Sequence, residues 1–267
     1  DEDFKAPEDW KTVEVDKEEH EDIDCHMKHE IDLQSDIIKN LELTNTKLPK
    51  TRVKLVACGS SYYAAMLAAH FMNIQPGYDA TAVYATEFVF TGHEDALVFI
   101  SQSGETKDVI DALRSVIDNS KSWKSHLSGG YDKLPIYILQ NKKESTLSQF
   151  CDYCQVIDIN VGLEVGVAAT KTFTATVLQL VAMSGMEVDL NNISFSLSSG
   201  VLKSHLANTV NKYSNALILG SGEFYPIALE GALKLKEVAY IHAEAMPADE
   251  IKHGPIALID ENTISIV

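Results

Sequence analysis

The strongest chemical signal in the sequence lies at residues 97–106, where an apolar run leads into Ser101-Gln-Ser-Gly-Glu-Thr106. Ser101, Ser103 and Thr106 supply hydroxyl donors, and a helix that starts here would add unpaired N–H groups and the positive end of its dipole. Helix capping is the plain alternative for Ser103 and Thr106. The density of donors after a buried strand favours a phosphate-binding loop.

A second segment of this kind is Gly59-Ser-Ser61, which also follows an apolar run. Ser60 or Ser61 could reach the same ligand, although an ordinary helix cap explains these serines equally well. Neither segment has the Gly and Lys spacing of a Walker loop, and no G-x-G-x-x-G follows a strand. Nucleotides are therefore disfavoured as ligands.

Acid–base chemistry is indicated near the C-terminus, where Pro226 is suited to open a helix that runs to Ile241. Glu230, Lys234 and Glu237 share one stripe of this helix, so surface salt bridging is one interpretation. The functional interpretation makes Glu237 a base that moves a proton between C1 and C2 of a sugar, with Lys234 stabilising the enediolate.

Two other features belong to the same region. A second stripe of the helix is apolar and consists of Ile227, Gly231, Leu235 and Val238. Because a histidine side chain can exchange protons near neutral pH, His253 could open a sugar ring, although a lone histidine is more often structural.

The elements around these residues alternate between strand and helix. Apolar runs predict strands at 53–57, 96–100 and 135–140, and periodicity predicts helices at 27–41, 60–73 and 106–117 and within 163–186. The alternation predicts an α/β protein with helices on both faces of a parallel sheet. Because residues 54–61 are echoed by residues 215–222, we expect two three-layer, flavodoxin-like units, the second apparently incomplete.

Domain boundaries follow from this organisation. Residues 1–22 are predicted to form an acidic linker or arm, residues 23–190 the first domain and residues 191–210 a connecting segment. The second domain is predicted at 211–267, truncated within a strand-like run.

Composition narrows the class of partner. The chain has 267 residues, is 45% hydrophobic and carries a formal net charge of −17. It has no basic cluster to attract nucleic acid and no apolar run of the ~18 residues that a membrane helix needs. Four cysteines, including the isolated pair Cys151 and Cys154, indicate neither a disulfide scaffold nor a metal site. We expect a cytoplasmic protein without a metal or cofactor that binds neither nucleic acid nor membranes.

Several segments together resemble a known family. They are Cys58-Gly-Ser-Ser61, Ser101-Gln-Ser-Gly-Glu-Thr106, Glu164-Val-Gly-Val-Ala-Ala-Thr-Lys171, Ala228-Leu-Glu-Gly-Ala-Leu-Lys-Leu-Lys-Glu237 and His253-Gly-Pro255. From about Asp24 onward, the sequence is similar to the isomerase half, with its sugar isomerase (SIS) domains, of the glutamine:fructose-6-phosphate aminotransferases. These enzymes aminate and isomerise fructose 6-phosphate to glucosamine 6-phosphate, the entry to amino-sugar nucleotides.

The resemblance implies roles for individual residues. Glu237 would transfer the proton with help from Lys234, and His253, contributed by a neighbouring subunit, would open the ring, so that a homodimer with a shared site is implied. The implied substrate contacts come from Ser61, Ser101, Gln102, Ser103 and Thr106 at the phosphate and from the region of Val167 and Ala169 at the sugar.

The sequence also departs from the family pattern. It begins with Asp1-Glu-Asp in place of a glutaminase domain, which is expected upstream in the full-length enzyme, and the imine-forming lysine of the family would lie beyond Val267. Ala169 stands where the family usually has Ser, and Asp32-Leu-Gln-Ser35 replaces a Pro-containing stretch. A sugar-phosphate sensor, a stand-alone ketose/aldose isomerase and an amino-sugar deaminase remain alternatives.

Overall fold

The computed structural model describes residues 25–123, 134–198 and 209–267, so the predicted acidic arm at 1–22 lies outside the described residues. The described chain is α/β and contains two parallel sheets, which confirms the predicted fold class. We call residues 25–198 the first unit and residues 209–267 the second unit.

The first unit contains a five-stranded sheet with the order β2-β1-β3-β4-β5. Its helices are α1 (His26–Lys39), α2 (Gly59–Asn73), α3 (Lys107–Trp123), α4 (Lys171–Met183) and α5 (Leu190–Ser198). Its strands are β1 (Arg52–Ala57), β2 (Asp79–Tyr84), β3 (Ala96–Ser101), β4 (Ile136–Gln140) and β5 (Gln155–Asp158).

The core of the first unit lies on both faces of this sheet. Every residue of β3 is buried, as expected for an interior strand of a parallel sheet covered on both sides. One apolar cluster lies toward α1, α2 and α4, and another lies toward α3. Helix α5 starts at the predicted domain boundary and packs against α1, where the Ser35 and Ser194 hydroxyls are 3.1 Å apart.

The second unit contains a three-stranded sheet with the order β7-β6-β8. Its strands are β6 (Asn215–Gly220), β7 (His242–Pro247) and β8 (Thr263–Ile266), and its helix is α6 (Phe224–Lys234). A π-helical segment, Leu235–Ala239, continues α6, and two 3-10 turns, Ala248–His253 and Pro255–Leu258, follow β7. Helix α6 packs against β6, β7 and α2.

The helix predicted after Pro226 is present, but it differs from the expectation in three ways. It begins at Phe224, it changes to π geometry at Leu235, and its apolar stripe is not the buried face. Ile227 and Val238 are 45% and 47% exposed. The buried residues of α6 are Pro226, Ala228, Glu230 and Ala232.

Within the described ranges, no helix is both long enough and apolar enough to cross a bilayer.

Candidate active site

The strand order places the two serine-containing segments at the same edge of the sheet. Strand β1 pairs with β2 on one side and with β3 on the other, and all three strands are parallel. The connections after β1 and β3 therefore leave on opposite sides of a switch point, which is where open α/β sheets place ligands. Residues 58–61 and 101–106 follow these two strands.

The loop after β3 is shaped by its own hydroxyls. Ser101 is buried, and its Oγ lies 2.7 Å from Thr106 Oγ1 and accepts the Gly104 N–H at 3.1 Å. The Ser103 hydroxyl accepts the Glu105 N–H at 3.1 Å. Helix α3 begins directly after Thr106, so its first N–H groups open onto this loop. The loop has the form expected of a phosphate cradle.

Gly104 fixes the conformation of this loop. Its φ is +67°, and a Cβ added here would lie 2.3 Å from Ser145 Oγ. Ser145 Oγ is itself held, because it donates to Gln140 Oε1 at 2.8 Å. The Glu105 carboxylate forms a second link between this loop and the segment around Ser145, because it accepts the Thr146 N–H at 2.9 Å. A side chain at position 104 would therefore require the wall behind the cradle to move.

Lys234 connects the second unit to the first. Its Nζ donates to Glu237 Oε2 at 2.8 Å and to Ser60 Oγ, in the first turn of α2, at 3.0 Å. Nζ also lies 3.2 Å from Glu230 Oε1, in a contact that is ionic and lacks hydrogen-bond geometry. The proposed proton-transfer pair is thus anchored beside the strand that precedes Gly59-Ser-Ser61.

The salt bridges predicted in the charged stripe, between Lys234 and both Glu230 and Glu237, are present, but Lys234 and Glu230 are recessed and do not lie on the surface. The side chains of Lys234 and Glu230 are 18% and 10% exposed. Burial raises the pKa of Glu230, and the positive charge of Lys234 opposes this shift. Glu237, with a side chain 32% exposed, is the carboxylate of this stripe that is open to a ligand.

The loop between β5 and α4 carries Val167 and Ala169. Val167 is 91% exposed, whereas Ala169 is half-buried. The Glu164 carboxylate accepts the Thr170 N–H at 2.7 Å and the Thr170 hydroxyl at 2.9 Å, and it also accepts the Thr172 hydroxyl. The loop is therefore ordered without help from Val167, whose side chain stays free to meet a ligand.

The other predicted residues are placed separately. Ser61 is half-buried in the first turn of α2, and the Gln102 carbonyl accepts the Asn141 N–H at 3.0 Å. His253 ends a 3-10 turn and is exposed, and no described residue forms a hydrogen bond or ion pair with its side chain. The structure brings Lys234 and Glu237 together but does not bring His253 into contact with them.

Sequence reasoning missed two contributions to this site. It selected Ser61 for the phosphate contact and gave Ser60 no part in the acid–base pair, whereas the Ser60 hydroxyl accepts a hydrogen bond from Lys234. It also left Glu230 outside the site, although its spacing of four residues from Lys234 was the available signal. In the described part of the chain, no three His, Cys, Asp or Glu side chains form a cluster that could hold a metal.

Comparison with known proteins identifies relatives for both the sequence and the fold. Residues 210–267 match the family model described as the SIS domain. The chain is 38% identical over 232 residues to the glutamine–fructose-6-phosphate aminotransferase (isomerizing) of Aquifex aeolicus, covering 81% of this chain and 37% of that protein. It is 34% identical over 254 residues to the Thermotoga maritima protein of the same name, covering 86% and 38%. The chain thus spans little more than a third of the length of these curated relatives.

Solved structures agree with the sequence matches. The C-terminal domain of glucosamine-fructose-6-phosphate aminotransferase from Francisella tularensis is 29% identical, with a TM-score of 0.69, over 91% of this chain and 75% of that one. Tagatose-6-phosphate ketose/aldose isomerase from Escherichia coli shares the fold, with a TM-score of 0.75 at 16% identity over 91% and 72% of the two chains. The chain is therefore similar, over about four fifths of its length, to a segment of the glutamine–fructose-6-phosphate aminotransferases (isomerizing), and its residues 210–267 match the SIS domain.

Proposed function

We propose that this chain is the isomerase part of a glutamine:fructose-6-phosphate aminotransferase, which binds fructose 6-phosphate and moves a proton between C1 and C2. The observation that carries the proposal is the hydrogen bond of 2.8 Å between Lys234 and Glu237, with Lys234 also held by Ser60 of the first unit. Ser60 follows β1, which pairs with β3, and the cradle follows β3, so this contact supports the assignment of an acid–base pair next to the cradle.

The side chains suit the two halves of this reaction. The Glu237 carboxylate removes a proton from one carbon and returns it to the other, so that one group serves as base and then as acid. Negative charge develops on the sugar oxygen of the enediolate between these steps. The Lys234 ammonium stabilises that charge, and because three fixed groups hold it, little reorganisation is needed.

The phosphate of the substrate is assigned to the cradle. Ser61, Ser101, Gln102, Ser103 and Thr106 surround the ends of β1 and β3, and the start of α3 adds N–H donors and a favourable dipole. The sugar would extend toward Val167 and Ala169. This assignment explains why the exposed Val167 lies on a loop that hydrogen bonds hold in place.

The remaining parts of the proposal concern partners. An upstream glutaminase domain would supply ammonia, which converts the C2 carbonyl to an imine before isomerisation to glucosamine 6-phosphate. His253 would open the sugar ring in the site of a second subunit of a cytoplasmic homodimer. Its exposed side chain, without a partner among the described residues, supports a role toward another copy.

The test is proton exchange at C1 and C2 of fructose 6-phosphate in deuterated water, followed by nuclear magnetic resonance. We expect Glu237→Gln to slow exchange by about 10²- to 10⁴-fold, since that is the usual contribution of a general base. Binding of the sugar phosphate should persist. Glu261→Gln, an exposed carboxylate of the same unit, is the matched control and should exchange at the wild-type rate.

Two results would contradict the proposal. Unchanged exchange in Glu237→Gln would remove Glu237 from the chemistry. Binding without any exchange by the wild-type chain would favour a sugar-phosphate sensor over an enzyme.

A further inference from the structure

Helix α1 places one carboxylate against the loop that carries Val167 and Ala169. Glu30 is 4% exposed, and its Oε1 accepts the Val165 N–H at 2.5 Å. The Gly166 N–H lies 3.2 Å and 3.3 Å from the two oxygens of the same carboxylate. A buried carboxylate with charge-assisted bonds to two consecutive N–H groups is a strong fixed point for a backbone.

The absence of a side chain at Gly166 is a second, independent sign of this contact. A Cβ added there would lie 2.6 Å from Glu30 Oε2 and 3.3 Å from the Met27 Cα atom. Position 166 therefore needs glycine because α1 approaches the backbone closely. The residue types at both positions, the carboxylate of Glu30 and the missing side chain of Gly166, therefore suit this contact.

The other fixed points of the loop lie on either side of this contact. The Asn141 side chain accepts the Val161 N–H at 3.0 Å and donates to the Gly162 carbonyl at 2.8 Å. Glu164 holds Thr170 at the start of α4. Between these points, Lys171 at the start of α4 donates to the Leu163 carbonyl, and the Glu30 carboxylate holds the backbone at 165–166, next to Val167.

We propose that Glu30 is a positioning residue for the sugar, which acts by fixing the backbone at 165–166 so that Val167 and Ala169 lie against the substrate. This inference rests on the proposed function, since it takes that loop as the sugar contact. Glu30 does not touch the phosphate cradle, which follows β3 and is built from other residues. Its loss should therefore affect the sugar contact and spare the phosphate contact.

The experiment compares the affinity of the full chain for fructose 6-phosphate with its affinity for inorganic phosphate, by calorimetry. We expect Glu30→Ala to lower the affinity for fructose 6-phosphate about tenfold, since this is the loss expected when charge-assisted bonds to a backbone are removed. Phosphate affinity should stay within about twofold of wild type, by the separation of the two contacts. Glu30→Gln keeps an acceptor oxygen and should restore most of the affinity. Asp36→Ala, an exposed carboxylate of the same helix, is the control.

A double-mutant cycle makes the test specific to this contact. Gly166→Ala should lower the affinity for fructose 6-phosphate to a similar extent, because the Cβ of the new alanine displaces the loop from α1. In the Glu30→Ala background the same change should cost much less, since the nearest obstructing atom is gone. Amide hydrogen exchange at Val165 and Gly166 should be faster in Glu30→Ala than in wild type and in Glu30→Gln.

The outcomes separate this inference from the proposed function. A wild-type chain that fails to bind fructose 6-phosphate would overturn the proposed function itself. If wild type binds and Glu30→Ala binds equally well, or loses sugar and inorganic phosphate affinity alike, only the positioning role of Glu30 is overturned. Additive effects of Glu30→Ala and Gly166→Ala would overturn it as well.

Discussion

The two units differ in how firmly they are built, and the site draws on both. The first unit has a five-stranded sheet with large apolar side chains buried on both faces. The buried cluster of the second unit consists of the three alanines Ala216, Ala232 and Ala243, with half-buried neighbours around it. Its exposed large apolar residues are Phe224, Ile227, Val238, Tyr240, Ile256, Leu258, Ile259 and Val267.

This difference indicates a division of labour. The cradle is formed and buttressed entirely within the first unit, through Gly104, Ser145 and Gln140. The proposed acid–base pair, Lys234 and Glu237, belongs to the second unit but is oriented by its contact with Ser60 and by the packing of α6 against α2. Binding is therefore expected to survive disturbances of the second unit, whereas proton transfer depends on both units.

The largest effect is expected from truncating one apolar side chain in the core of each unit. Leu139→Ala, at a fully buried position in β4, should cost about 2 to 5 kcal/mol of unfolding free energy. Ile218→Ala, at a half-buried position in β6, should cost about 1 kcal/mol. Hydrogen exchange measured by mass spectrometry should show both units opening in the first variant and only the second unit opening in the second. If the amides of the two units were equally protected from exchange in the wild-type chain, the inference that the second unit is less stable would be wrong.

An intermediate effect is expected from the neighbouring serines of α2. Ser60→Ala removes the hydroxyl that accepts from Lys234 and should slow proton exchange about tenfold, since a bond to a charged group is lost. Ser61→Ala should instead weaken sugar-phosphate binding with little effect on the rate at saturation. Steady-state kinetics of both variants would distinguish these outcomes. Identical kinetic defects would mean that binding and chemistry do not divide between the units as inferred.

The smallest effect concerns the pH dependence of stability. Because the pKa of Glu230 is raised in the folded chain, the unfolded chain releases this proton first as the pH increases. Its contribution to stability is therefore present at a pH below the ordinary Glu pKa and is lost as the pH rises toward the raised value. Urea unfolding from pH 4 upward should show that Glu230→Gln lacks this decrease. A parallel pH profile in wild type and variant would show that Glu230 is ionised as easily as an exposed carboxylate.

Much of the first unit was predictable from the sequence, because β3 and β4 are mainly apolar runs that end at polar residues, and β1 is interrupted within its apolar run by Lys54 alone. Strand β2 was missed, since it is an edge strand with a mixed burial pattern. The start of α4 at Lys171 could not be placed within 163–186, because the preceding loop is held partly by a tertiary contact with Glu30 and partly by local bonds to Glu164.

The candidate site was predictable in part. The spacing of Lys234 and Glu237 foretold their contact, since residues three apart share a helix face. Their burial and the link to Ser60 depend on the packing of α6 against α2, which no local pattern encodes. The roles of His253 and of the substrate contacts stay predictions, because they depend on a second subunit and on a bound sugar phosphate.

The π-helical segment Leu235–Ala239 sets a limit on how this helix can be reused in protein engineering. Tyr240, in a left-handed conformation with φ 54°, donates its N–H to Leu235 O five residues earlier, and this wider turn includes Glu237. Deleting one residue from the segment would restore an α-helical register and rotate every following side chain. Transplanting the Lys234 and Glu237 pair onto a regular helix would keep their spacing in sequence but aim the carboxylate in a different direction. A designed copy of this site must therefore copy the irregular turn as well.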